Sequence, residues 1–194
     1  MHYLLDLLQG LGIAAAIGIR PFLPTLLAGA LASGNTGLDF DHTKFSFLET
    51  PGFLLAVLAA VAVFGFIERR QDLQANRAGV AVLLGCSLVL GMLMASGSIA
   101  DGSSDWWPGL PIGAAAAGLG FVAARSLFGR VRARLDKDAQ GAVPLYAEGI
   151  ALLGCGLSIL FPPLAIVLVA TLAWLLAGGR RRAGEKYAGL RILR

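Results

Sequence analysis

Apolar runs of about 17 to 21 residues recur along this chain, and a helix of that length is what crosses a hydrocarbon core roughly 30 Å thick. Short polar segments separate them over 194 residues. Backbone polar groups find no water in a bilayer, so runs of this kind are predicted to fold as helices, with every amide paired inside its own segment. The chain is 57% hydrophobic and 14% charged, with a mean hydropathy of +0.74. That leaves no room for a second soluble domain, and residues 1–194 read as a single integral-membrane domain of the all-α class.

The basic residues give the topology. With six spans, the inner loops and tail hold three, five and six Lys or Arg. The outer loops hold only Lys44, and Arg20 is left within a span. Basic residues near span ends resist translocation, so the expected arrangement is a six-span helix bundle with N- and C-termini both cytoplasmic. The spans are expected near residues 4–31, 51–67, 79–96, 111–128, 144–161 and 164–177. Trp106 and Trp107 fall where amphipathic rings favour the headgroup layer. The net charge of +4 and pI near 9.5 do not point to nucleic acid, because the bases border spans and act as topology signals and contacts for anionic lipid. Cys86 and Cys155 lie in apolar runs, where a thiol behaves as a small hydrophobe. His2 and His42 are isolated. No nucleophile–base pair or metal-ligand spacing is present, so the reading is of a non-enzyme without cofactor or metal.

Residues Ile13 to Gly29 overlay on Gly113 to Gly129 with six of seventeen positions identical. With Pro51 and Pro144 each opening a following span, this divides the chain into two three-span halves, 1–97 and 109–178, and a basic tail, 179–194. An odd number of crossings per half implies inverted repeats, an architecture that places a site at the repeat interface. Gly10, Gly12, Gly18 and Gly29 in the first span, and Gly113, Gly118 and Gly120 in the fourth, predict that these two spans form the central, closely packed pair. The bulky sixth span is expected to face lipid.

The first span is expected to break at Pro21 and Pro24, because each proline withholds an amide and frees carbonyls in the turn before it. Arg20 beside this break has two readings. It is an interfacial anchor or structural cap that donates to the freed carbonyls, or it is a functional guanidinium presented to an anionic solute. Glu148, one turn into the fifth span, is either a helix-start carboxylate or part of the same site. The candidate substrate-binding set is therefore Arg20, Pro21, Pro24 and Glu148. Glu68, beside Arg69 and Arg70, reads as a solvated span end. Arg180, Arg181, Arg182 and Lys186 in the tail are the candidate lipid-binding set.

The segment Gly18-Ile19-Arg20-Pro21-Phe22-Leu23-Pro24 resembles the opening signature of a bacterial membrane-protein family known by a domain-of-unknown-function number, 4126. The similarity extends more loosely to Pro51–Glu68 and to Val143-Pro144-Leu145 with Glu148. The resemblance implies a small, multi-span bacterial protein and no particular chemistry; the second proline of the motif departs from the usual pattern.

Two functions fit these residues. One is a small permeation protein, a channel or transporter for a small solute or ion, with Arg20 biasing it towards anions. The other is a non-transporting membrane protein that binds lipid or assists assembly of a membrane complex. Arginine-heavy, lysine-poor usage points to a bacterial plasma (inner) membrane, and homo-oligomerisation is compatible with either function.

Overall fold

The computed structural model describes residues 2–70, 76–102 and 105–188, in backbone alone at 2, 69–70, 137–138 and 179–188. All regular structure among them is helical. The order is α1 (His2–Ile19), α2 (Phe22–Ser33), a single 3-10 turn (Ser46–Glu49), α3 (Pro51–Arg70), α4 (Arg77–Gly102), α5 (Gly109–Arg132), the short α6 (Lys137–Gln140), α7 (Val143–Leu160) and α8 (Leu164–Ala188). Four helical stretches are long and apolar enough to cross a bilayer: Pro51–Glu68, Arg77–Gly102, Gly109–Arg132 and Val143–Leu160. The segments Tyr3–Ile19, Phe22–Ser33 and Leu164–Gly178 are shorter apolar helices.

The first apolar stretch breaks at Arg20-Pro21, between α1 and α2. It folds back on itself as a hairpin. Gln9, near the start of α1, donates from Nε2 to the carbonyls of Gly37, beyond the end of α2 (2.5 Å), and Ile159, at the end of α7 (3.2 Å). The chain therefore leaves the end of the bundle where α1 begins, turns at Arg20-Pro21 and returns to that same end. Pro21 causes the reversal because it has no amide to continue the α1 ladder, and its ring displaces the carbonyl four residues earlier. Pro24 makes no second break. It lies in the first turn of α2, where amides have no helical partner to lose. Thr25 then ties its hydroxyl to the Pro21 carbonyl at 2.6 Å, closing the turn.

The hairpin fixes the two ends of the bundle. The start of α1 sits against the end of α4, with Ser98 Oγ donating to the Asp6 carbonyl at 3.0 Å and Gly102 lying against the Asp6 carboxylate. This acidic end also carries segments 34–50 and 161–163. The opposite, basic end carries the tip of the hairpin, the end of α3, the start of α4 and the α5–α7 connection. Helix α8 starts beside Gly12, which faces Ala165, and proceeds past Leu172, clustered with Ile19, Ala123 and Ala124, towards the basic end. The described chain thus begins at one end of the bundle and finishes at the other.

The core is a triad of α1, α4 and α5 in close contact. Side chains Ile13 to Ile17 of α1 are fully buried. Gly18 lies against the Ala117 carbonyl and Gly120 against the Ala15 carbonyl, so a Cβ at either position would meet backbone. The glycine-marked pairing of α1 with α5 holds, since small residues let the two backbones approach. Ile166, Val167 and Trp174 of α8 are exposed, as the bulky composition implied. Helix α3 is the most peripheral: its neighbours are α2 and the 3-10 turn. The two overlaid stretches differ in shape, because Ile13–Gly29 reverses at Arg20 whereas Gly113–Gly129 runs through Gly120 as one continuous helix.

Candidate functional site

The hairpin tip brings charge into the bundle. Arg20 is held by the end of α1, its amide still bonded to the Ala16 carbonyl at 3.2 Å. Its guanidinium Nη1 donates to both carboxylate oxygens of Glu68, at 3.1 and 2.9 Å. The two side chains are only 12% and 16% exposed. Glu68 is therefore not the solvated span end expected, and the described side-chain hydrogen bonds of Arg20 go to this carboxylate rather than to carbonyls freed by proline. Phe22 packs on Phe64 with ring centroids 4.7 Å apart, so α3 is held to α2 by an apolar contact beside the ionic one.

Two small chambers flank Arg20. One, about 40 Å3, lies between the tip and the basic end and is lined by Arg20, Pro21, Leu83, Arg125, Arg132 and Ala147 among others. The second, about 30 Å3, lies towards α3 and contains Arg20, Pro21, Phe64, Glu68 and Glu148. Each is large enough for about two or three waters, at roughly 10–15 Å3 apiece. Leu83 is six residues into α4 from Arg77. The first chamber is also lined by Arg132, the last residue of α5, and Val143, the first of α7, so it opens near the ends of those helices.

Of the residues singled out by sequence, Arg20, Pro21 and Glu148 share the second chamber, whereas Pro24 does not line it. Pro24 is buried against α7, where its carbonyl accepts a 3.5 Å hydrogen bond from Cys155 Sγ. The sequence did not single out Glu68, Arg125 and Arg132 as site residues. For the two arginines a signal was available: they are seven residues apart on α5, two turns, and so share a face. The side chains of Arg180, Arg181, Arg182 and Lys186 lie outside those described.

The acidic end carries a separate group. The carboxylates of Asp39, Asp41 and Glu49 converge within 4.8 Å of one another. Burial, and next a hydrogen bond shared with Asp41, push the Glu49 carboxyl above its ordinary value, while the Phe40 amide opposes the shift. Lys44, also at this end, stands over the Trp106 ring, 5.5 Å from its centroid.

The fold defines a helical bundle of membrane-protein type, with an ion pair drawn inside one end by a reversed hairpin. Comparison with family models, curated proteins and solved structures finds no match to this chain.

Proposed function

We propose that this is a small permeation protein of a bacterial inner membrane, a channel or transporter for a small anionic solute. The observation that carries the reading is the hairpin tip, which holds Arg20 between two water-sized chambers inside the basic end of the bundle. Non-helical backbone at membrane depth is tolerated where protein buries it or a wet cavity adjoins it, and such breaks form the solute sites of many transporters. In the state described, the Arg20–Glu68 pair closes the space between α2 and α3. Peripheral α3 is the element free to part from the tip, since few contacts oppose its movement. Parted from Glu68, the Arg20 charge would favour anions over cations.

The orientation that goes with this reading puts the basic end in the cytoplasm. The hairpin moves Arg20 to that end and leaves Lys44 alone at the acidic one, which sharpens the charge asymmetry. Helices α3, α4, α5, α7 and α8 then make five crossings, with the N-terminus outside and the C-terminus inside.

A second reading has one observation in its favour. Arg20 has a well-placed partner, and a paired guanidinium that clamps α3 to the hairpin is also what a lipid-binding or assembly protein would use as a structural tie. Purified protein in liposomes separates the two. The permeation reading expects anion flux that Arg20→Ala abolishes without preventing insertion. Absence of flux from folded wild-type protein, over a panel of small anions and cations, favours the structural reading.

A further inference from the structure

Arg20 shares the chamber towards α3 with two carboxylates, and only one of them is its partner. Glu68 takes the guanidinium at 2.9 Å. Glu148, half-buried and one turn into α7, lines the same chamber and, among the described residues, makes no hydrogen bond or ion pair. The other charged groups at this end have different settings. Arg125 and Arg132 of α5 line the basic-end chamber with Ala147 and have interactions of their own. Helix α4 contributes Leu83 to the chamber and has Arg77 at its start, and Tyr146 is exposed on α7 itself. Helix α2 and the described side chains of α8 carry no titratable group, and those of α1 lie at the acidic end. We propose that Glu148 is a proton-binding site, occupied when an anion holds Arg20 in place of Glu68, so that the solute moves with a proton. This names the coupling ion of the permeation reading and rests on that reading.

A proton suits this position better than a metal ion. A metal ion needs a shell of oxygens to replace its water. The chamber of about 30 Å3 instead sets the two carboxylates beside a guanidinium, which repels cations, and walls them with Val61, Phe64 and Leu83. A proton needs one acceptor, and carboxylates inside a helical bundle recur as proton carriers in membrane pumps and transporters. The coupling follows from competition for Arg20. When α3 parts from the hairpin, an ionised Glu148 is the carboxylate left in the chamber. Tethering gives it an effective concentration that a free solute does not match. Protonated, Glu148 no longer competes, and its hydroxyl is a donor for the anion. An anion at Arg20 and a negative charge on Glu148 also repel each other, so anion binding and proton binding each favour the other.

The test uses the full chain in liposomes with a pH-sensitive dye trapped inside and the membrane potential clamped by potassium and valinomycin. Nitrate, chloride and sulfate are the probe anions. In wild-type protein, an inward gradient of a transported probe should acidify the lumen, and an inward proton gradient should drive uptake of that probe. Arg20→Ala should lose both responses. Glu148→Gln should lose the proton movement, and any anion flux it retains should no longer respond to the pH gradient. Glu148→Ala removes the carboxyl without leaving an amide in the chamber, and carries the same expectation if the glutamine variant does not fold. Asp136→Asn, which alters an exposed carboxylate outside the chamber, should keep the coupling. Arg20-dependent anion flux without proton movement overturns the proposal and leaves permeation standing. Coupling that survives in Glu148→Gln or Glu148→Ala, or is lost equally in Asp136→Asn, also overturns it. No flux of any probe through folded wild-type protein removes the permeation reading and this site with it.

Discussion

Arg20 and Glu68, 48 residues apart, meet with both carboxylate oxygens of Glu68 on one guanidinium nitrogen, and so join the tip of a hairpin to the end of the most weakly packed helix. An ion pair this little exposed gains from its low-dielectric surroundings and loses from desolvation, so removing one partner costs more than the pair contributes as a whole. Glu68→Gln and Arg20→Ala should each lower stability by about 1.5–3 kcal/mol. The double variant should lose less than the sum. Thermal unfolding in detergent of the four proteins gives the coupling, and strict additivity would mean that the pair does not hold α3.

Close packing of α1 on α5 makes two glycines sensitive. A Cβ at Gly18 would meet the Ala117 carbonyl and one at Gly120 the Ala15 carbonyl, both backbone atoms that cannot turn aside. Gly18→Ala and Gly120→Ala should each cost about 1–3 kcal/mol through forced separation of the helices. Gly129→Ala and Gly149→Ala, where a Cβ meets nothing within 4 Å, should be neutral or slightly stabilising. The same unfolding assay checks both pairs.

At the acidic end, Gln9 satisfies two carbonyls from separate segments, those of Gly37 and Ile159. Gln9→Leu leaves the acceptor of buried Ile159 without this donor and should cost about 1–3 kcal/mol. Hydrogen exchange should then rise first at residues 34–40, since that segment depends on the Gln9 bond.

Glu49 gives the pH dependence of the same end. Its folded-state value is raised above the ordinary 4.5, first by burial and then by Asp41. Between 4.5 and that raised value the folded protein holds a proton that the unfolded chain has released. Stability therefore falls as pH rises through the window just above 4.5. Glu49→Gln should flatten this slope, which unfolding measured from pH 4 to pH 7 would show.

Much of this fold is legible in the sequence, and the part that is not has a physical cause. Apolar run length marks the long helices α3, α4, α5 and α7, and Pro51 marks where α3 starts. Glycine content identifies α1 and α5 as the close pair, because small side chains matter only where backbones approach. The reversal at Arg20-Pro21 is different. A proline in a helix bends it or ends it, and which occurs depends on contacts far along the chain, here Gln9 with Gly37 and Ile159. The Glu68 partner was hidden for the same reason: as a span end it reads as solvated until the hairpin brings Arg20 to its depth. Glu148, one turn into a proline-led helix, lines the chamber beside Arg20, and Pro24 makes no second break because the same residue that breaks a helix interior is at home in a first turn.

The most direct test is which side of the membrane the two arms of the hairpin occupy. In a Cys86→Ala, Cys155→Ala background, single variants Tyr3→Cys, Asn35→Cys and Arg134→Cys are treated in intact cells with a membrane-impermeant thiol reagent. The account expects Tyr3→Cys and Asn35→Cys to label from outside and Arg134→Cys only after the cells are opened. Labelling of Tyr3→Cys with Arg134→Cys, and apart from Asn35→Cys, would mean that the first stretch crosses the membrane once and would contradict the hairpin on which the Arg20 site depends.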